Sequence, residues 1–358
     1  MSSQSHRFFT DHTYTGEPGL SEVHGPPWTD ALPREFRYPY DIFEQAFPEL
    51  TGGPLRVVVT KDAYTLDTYG PDVVVLLMQE ERCKVPVYGR HVRAVVRNLM
   101  STPYIGWRPH LPLTKLEAVL TFEYGRDWYC NLRSRFFLAN PPDQYPAPVR
   151  EQPVNLRIPL GYHSQVEVPQ VAMADRQLDS FFAGEIGSSF RARKYQEYLS
   201  TSKIEARGQL WGVLREMQAE GTWRMDLGDI SGGQRKSYDA VFNSYSEKMM
   251  NSRICLAPRG TIAETYRAYE GLRAGCVVLT NPLPRDEFLY PDAPLMIVDH
   301  WRELPGLMDR FARNIEVLEE FRARGLAWWH NHLRPEVVAV EVARQLNLAG
   351  DTLLPSAK

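Results

Sequence analysis

Two short, nearly unbroken runs of β-branched and aliphatic residues, Leu55-Arg56-Val57-Val58-Val59-Thr60 and Asp72-Val73-Val74-Val75-Leu76-Leu77-Met78, constrain this chain more than any other feature. Runs of this kind lack the alternation of a half-solvated strand, so they fit parallel strands covered on both faces, and parallel strands require crossover connections. The same grammar returns in the second half. Ser180-Phe181-Phe182-Ala183-Gly184, Trp223-Arg224-Met225-Asp226, Arg253-Ile254-Cys255-Leu256-Ala257, Cys276-Val277-Val278-Leu279-Thr280 and Leu295-Met296-Ile297-Val298 read as strands. Helical patterns over 190–199, 206–219, 238–251 and 264–274 lie between them, and helices also fill the chain from Trp301 onward. An α/β chain is therefore expected. Tyr88–Met100, with Val92, Val95, Val96 and Leu99 at helical spacing, predicts one more helix. Residues 101–150 carry many prolines and receive no assignment.

With 358 residues the chain exceeds the size at which one core keeps growing, so two domains are expected. Residues 1–52 read as an irregular leader, 53–165 as an N-terminal α/β domain and 166–330 as a C-terminal one. The polar stretch 162–177 reads as a linker, and 331–358 as a C-terminal helix packing back on the N-terminal domain. The net charge of −3 offers no basic field that argues for nucleic acid. No apolar run is long enough for a transmembrane segment, and the N-terminal residues lack the apolar core of a signal peptide, so a cytoplasmic protein is expected. Cys83, Cys130, Cys255 and Cys276 form no CxxC pair, and the histidines form no HExxH, so neither a zinc site nor a disulfide framework is expected.

The chemistry concentrates between Cys255 and Val278. A buried strand runs into Pro258-Arg259-Gly260-Thr261, where glycine permits close approach of backbone to ligand, and a helix follows at once. Helix N-termini favour anions. Arg259 and Arg267 can each add charge-assisted bonds of about 1.5–3 kcal/mol to a phosphate, and two arginines suit a diphosphate. Glu270, three residues after Arg267 and on the same helix face, can accept both hydroxyls of a ribose. The competing reading is an exposed Arg267–Glu270 ion pair on an amphipathic helix. Arg191 and Arg193, after a glycine turn, can reach a diphosphate or stand in solvent.

This run resembles the C-terminal signature of exostosin-like, family 47 glycosyltransferases. Ile158-Pro159-Leu160-Gly161-Tyr162, Phe181-Phe182-Ala183-Gly184 with Arg191 and Arg193, and Tyr238–Ser252 occur in the family's order, so the likeness spans about residues 155–300. It implies a GT-B fold, two facing Rossmann-like domains with a cleft between them. It implies an inverting transfer of a hexose or pentose from a nucleotide diphosphate sugar, UDP favoured, to a hydroxyl of a glycan or other glycoconjugate acceptor. Arg259, Gly260, Thr261, Glu264, Thr265, Tyr266, Arg267 and Glu270, with Arg191 and Arg193, are the expected donor-binding residues. Thr265, Arg267 and Glu270 fall where the family carries hydroxyl, basic and acidic groups. Glu264 departs from the small hydroxyl residue usual in eukaryotic members, and the membrane anchor of those enzymes is not seen, so a bacterial-type cytosolic enzyme is the closer analogy.

No cofactor or metal is expected, since GT-B enzymes neutralise the leaving diphosphate with basic side chains and helix dipoles. The general base is expected from the N-terminal domain at a strand's C-terminal end, with Glu80 first and Asp62 and Glu81 as alternatives. A catalytically silent GT-B protein that binds nucleotides or sugars as a regulator or scaffold is the second reading.

Overall fold

The computed structural model describes residues 6–16, 18–23, 34–99, 102–106, 114–140, 145–163, 170–184, 186, 201–229, 238–284 and 292–354. The expected helix over 190–199, with Arg191 and Arg193, lies outside them. The chain divides into two compact units, one of Met1–Pro103, Gly125–Leu160 and Leu333–Lys358, the other of Tyr104–Tyr124 and Gly161–His332.

The elements run β1 (Arg7–Thr10), α1 (His12–Thr15), β2 (Ser21–Val23), α2 (Arg37–Ala46), β3 (Arg56–Thr60), β4 (Gly70–Leu77), β5 (Val92–Arg97), α3 (Lys115–Ala139) and β6 (Asn155–Arg157). After these come β7 (Leu178–Gly184), α4 (Ser202–Glu220), β8 (Met225–Asp229), α5 (Tyr238–Met250), β9 (Ser252–Ala257), α6 (Tyr266–Arg273), β10 (Val277–Thr280) and β11 (Leu295–Ile297). Three helices, α7 (Leu304–Phe311), α8 (Ile315–His332) and α9 (Pro335–Asp351), complete the order. The α/β class read from the sequence is the class observed, with a mainly parallel sheet in each unit.

The first unit's sheet has the order β2-β1-β3-β4-β5-β6, parallel throughout except for the antiparallel β1–β2 pair. Val58, Val73, Val75, Leu77, Val92 and Val95 form its core. Two sequence expectations fail here. Tyr88–Met100 holds strand β5 rather than a helix: all of its positions are buried, Arg93 and Arg97 included, and a strand covered on both faces shows no alternation that would separate it from a helix. Residues 1–52 are not irregular throughout, because β1 pairs with β3 and α2 packs against α9. The α9 end is held by arginines. Arg93 donates to the Leu346 carbonyl at 3.0 Å and Arg150 to that of Ala349 at 3.0 Å, so cations meet the negative pole of the helix.

The second unit's sheet, β11-β10-β9-β7-β8, is parallel throughout. In chain order this is the 2-1-3-4-5 arrangement of a doubly wound sheet, in which the connections leave β7 and β9 in opposite directions, and ligands settle beyond the C-terminal ends of the strands at that switch point. Phe182, Leu210, Leu214, Ile254, Leu256, Val277 and Trp301 form its core. Residues 170–177 belong to this unit rather than to an extended linker: Met173 is buried, and Arg176 donates to the carbonyls of Ser252 at 2.6 Å and Ala274 at 2.8 Å.

Candidate functional site

The switch point fixes where to look. Beyond β9 the chain enters Pro258-Arg259-Gly260-Thr261, and α6 begins after Thr265, whose extended backbone (φ −146°, ψ 139°) occupies the N-cap position without its hydroxyl bonding back to the helix. That side chain is not spent on capping. Gly271 sets α6 close to the sheet, since a Cβ there would lie 2.8 Å from both Cys255 Sγ and Val278 Cγ2. The helix closes in a Schellman arrangement: Gly275 is left-handed (φ 66°), its N–H reaches the Leu272 carbonyl at 3.0 Å, and the Cys276 N–H reaches that of Gly271 at 2.8 Å.

The charged residues Arg259, Arg267 and Glu270 are buried, not solvated, at 4%, 8% and 9% exposed. Arg267 and Glu270 do not pair with each other. Arg267 Nη2 donates to the Ala183 carbonyl near the end of β7, and its guanidinium lies 4.9 Å from the centre of the Phe182 ring. Gly184 makes room for this, because a Cβ there would sit 3.0 Å from Arg267 Nη2 and from Phe182 Cζ. The remaining Arg267 donors, Nε and Nη1, are shut off from solvent without a hydrogen-bond partner. A buried cation with open donors is costly unless an anion meets it.

Glu270 Oε1 accepts from the His163 backbone N–H at 3.0 Å and Oε2 from the Tyr245 hydroxyl at 3.1 Å. A carboxylate offers roughly four lone-pair positions, so accepting capacity remains. Burial, with the Glu270 charge beside it, pushes the Tyr245 phenol well above its ordinary pKa, which keeps it a donor to Glu270. His163 belongs to this cluster and sequence reasoning missed it. Its ring lies 3.7 Å, centre to centre, from that of Tyr266, and its Nε2 is buried without a partner. The Ile158–Tyr162 motif stopped one residue short of it.

Arg259 occupies a different place. Its backbone N–H donates to Asn281 Oδ1 at 3.0 Å, and that oxygen also takes the Trp301 indole N–H at 3.2 Å, which anchors the loop. The Arg259 side chain, Glu117 and Asp299 line a cavity of only about 10 Å³. Glu264 is buried, while Gly260, Thr261 and Tyr266 are half-buried around the start of α6.

The carboxylates expected to act as base lie in the first unit. Asp62 organises its own turn, accepting from Tyr64 N–H and Thr65 Oγ1, both at 2.7 Å. Glu80 is buried, accepts from the backbone N–H of Arg82 at 3.1 Å and Lys84 at 2.8 Å, and faces Arg97 Nη2 at 3.4 Å. Burial raises its pKa despite Arg97. Glu81 is exposed.

Cys83, Cys255 and Cys276 are buried free thiols, Cys130 a half-buried one, and burial pushes the Cys255 thiol well up. Asp11, His12 and Asp67 form the one cluster with metal-ligand spacing among the described residues, and two of its members are solvent-accessible. No described helix is long and apolar enough to cross a membrane.

No family model matches the chain. Ribitol-5-phosphate xylosyltransferase 1 of Mus musculus is 20% identical over 202 residues, a match that takes in 51% of this chain and 42% of the mouse protein's length. Among solved structures, the GtfA/B complex superposes with a TM-score of 0.41 at 10% identity, covering 88% of this chain and 61% of that one. The pneumococcal O-GlcNAc transferase GtfA in complex with UDP and GlcNAc superposes with a TM-score of 0.36 at 12% identity, covering 87% and 60%. At these TM-scores the superpositions carry no weight for the fold, which rests on the strand order itself. The sequence relative is a glycosyltransferase, and it does not single out the exostosin-like family.

Proposed function

We propose that the chain is a glycosyltransferase of the GT-B type and that the second unit's switch point binds its nucleotide diphosphate sugar, with a UDP-sugar favoured. The observation that carries this reading is Arg267: a buried guanidinium, fixed through Nη2 at the end of β7, holds Nε and Nη1 open beside the start of α6. A diphosphate there would meet that cation, the first backbone amides of α6 and the Thr265 hydroxyl. Glu270 is placed to accept the ribose hydroxyls, and His163 Nε2 offers one more polar contact. The glycosyltransferase relative supports the same class.

In the proposed reaction an acceptor hydroxyl attacks the anomeric carbon as the bond to the diphosphate breaks on the opposite face, which inverts that carbon. The departing charge falls on Arg267 and the helix N-terminus, so a protein cation and a helix dipole take the part that a metal plays elsewhere. The hydroxyl proton passes to a base. Glu80 is the proposed base, a buried carboxylate of the first unit whose pKa burial raises, which makes it the better proton acceptor. The acceptor is a hydroxyl of a glycan or glycoconjugate.

A melting-temperature screen of nucleoside diphosphates, followed by measurement of UDP release from UDP-sugars with and without glycan acceptors, tests the proposal. A ligand that binds only the folded state raises its stability, so UDP is expected to raise the melting temperature and acceptor to stimulate release. Binding without turnover would favour the silent regulator. No stabilisation by any nucleoside diphosphate would remove the donor site.

A further inference from the structure

The first unit contains a cavity of about 530 Å³, within the range of about 300–1,000 Å³ common for small-molecule sites, that no step of the transfer uses. Three arginines, Arg90, Arg97 and Arg135, line it against a single carboxylate, Glu151, and the amides of Gln152 and Asn155 complete its polar wall. Arg97 already faces Glu80 at 3.4 Å, so its charge is largely met. Arg90 is different. Its side chain makes no hydrogen bond or ion pair among the described residues, and its Nε is closed off from solvent. The backbone under it is fixed: the Arg90 carbonyl accepts from Val149 N–H at 2.9 Å and Arg150 N–H at 3.3 Å, and the neighbouring Gly89 lies so near Pro153 that a Cβ would approach the proline Cβ to 2.8 Å.

An unpaired guanidinium held in a cationic hollow costs stability until an anion enters, and flanking amides suit hydroxyl groups rather than a bare ion. We infer that this cavity is a binding site for a small sugar or polyol that carries a carboxylate or phosphate. The acid group meets Arg90 and Arg135, and the hydroxyls meet Gln152 and Asn155. The inference goes beyond the transfer reading and stands without it, because Arg90, Arg135, Gln152 and Asn155 have no part in the proposed donor site and none of them is the proposed base.

The test is calorimetric titration of the full chain with glucuronate, glucose 6-phosphate, inorganic phosphate and glucose, with UDP titrated separately into the same samples. At least one acidic sugar is expected to bind with a dissociation constant of about 1 mM or tighter, and glucose at least about tenfold more weakly. Which acidic sugar binds distinguishes a carboxylate from a phosphate. Arg90→Gln is expected to weaken that binding by at least about tenfold while leaving UDP affinity unchanged. Should Arg90→Gln fail to fold, Arg135→Gln, at an exposed position, is expected to weaken it severalfold. Absence of binding by both acidic sugars, equal binding of inorganic phosphate alone, or unchanged affinity in the folded variant would each overturn the inference. Loss of UDP binding with the acidic sugar still bound would count against the donor site and leave this one standing.

Discussion

Replacing Arg267 with alanine separates a ligand-binding cation from a structural one. In the ligand-free protein the substitution removes the bond to the Ala183 carbonyl and the contact with Phe182, but it also removes two buried donors that have no partner. A hydrogen bond from a charged group contributes about 1.5–3 kcal/mol, and leaving buried polar groups unsatisfied costs about 1–3 kcal/mol, so the two effects largely offset. The ligand-free melting temperature should move by only a few degrees. In the complex, Nε and Nη1 would each give up a charge-assisted bond to phosphate, about 3–6 kcal/mol together, which is a loss of about two to four orders of magnitude in UDP affinity. Calorimetric titration with UDP and thermal unfolding with and without it read both quantities. Unchanged UDP affinity, or a ligand-free destabilisation beyond about 3 kcal/mol with affinity retained, would show that Arg267 only ties α6 to β7.

Glu270→Gln should lower UDP affinity by about tenfold and weaken thymidine diphosphate binding less, if Glu270 accepts the ribose 2′-hydroxyl as proposed; equal losses for both nucleotides would return Glu270 to a purely structural role. Gly271→Ala places a methyl group 2.8 Å from Cys255 Sγ and Val278 Cγ2, and urea unfolding should show a loss of about 1–3 kcal/mol; a neutral result would mean that α6 can lift from the sheet at no cost. Glu80 gives a pH signature. Its folded pKa lies above the ordinary 4.5, so its contribution to stability is fully present below about 4.5 and lost as pH rises through the folded value. The stability difference between wild type and Glu80→Gln should therefore move against wild type over that rise, and the opposite slope would mean that the Arg97 pair outweighs desolvation.

The strands of both sheets were legible where apolar runs were short and bounded by turns, as in β3, β4, β7, β9 and β10. The switch point followed from their order only once pairing was known. β5 was misread because burial on both faces erased its period, and its arginines gave the pattern a false polar side. α3 was missed for the opposite reason. Phe122, Trp128, Tyr129, Leu132 and Phe136 stay exposed along it, so no single buried stripe marks it as a helix, and prolines crowd both of its ends. β1 was invisible because its assignment depends on pairing with a strand some fifty residues away. In the candidate site, the residue types of Arg267 and Glu270 were legible, but their partners were not. Glu270 is held by His163, 107 positions earlier, and Arg267 by Ala183, 84 positions earlier, contacts that a local helical spacing cannot encode. Arg259 shows the limit of motif reading, since its side chain lines a cavity with Glu117 and Asp299 that nothing in its own sequence neighbourhood announces.

The central claim is most directly tested by a crystal structure of the chain soaked with UDP. The account predicts the diphosphate beyond the ends of β7 and β9, within hydrogen-bonding distance of Arg267 Nε or Nη1 and the first amides of α6, with the ribose hydroxyls on Glu270. A nucleotide bound elsewhere, with Arg267 Nε and Nη1 still unmet, would contradict it.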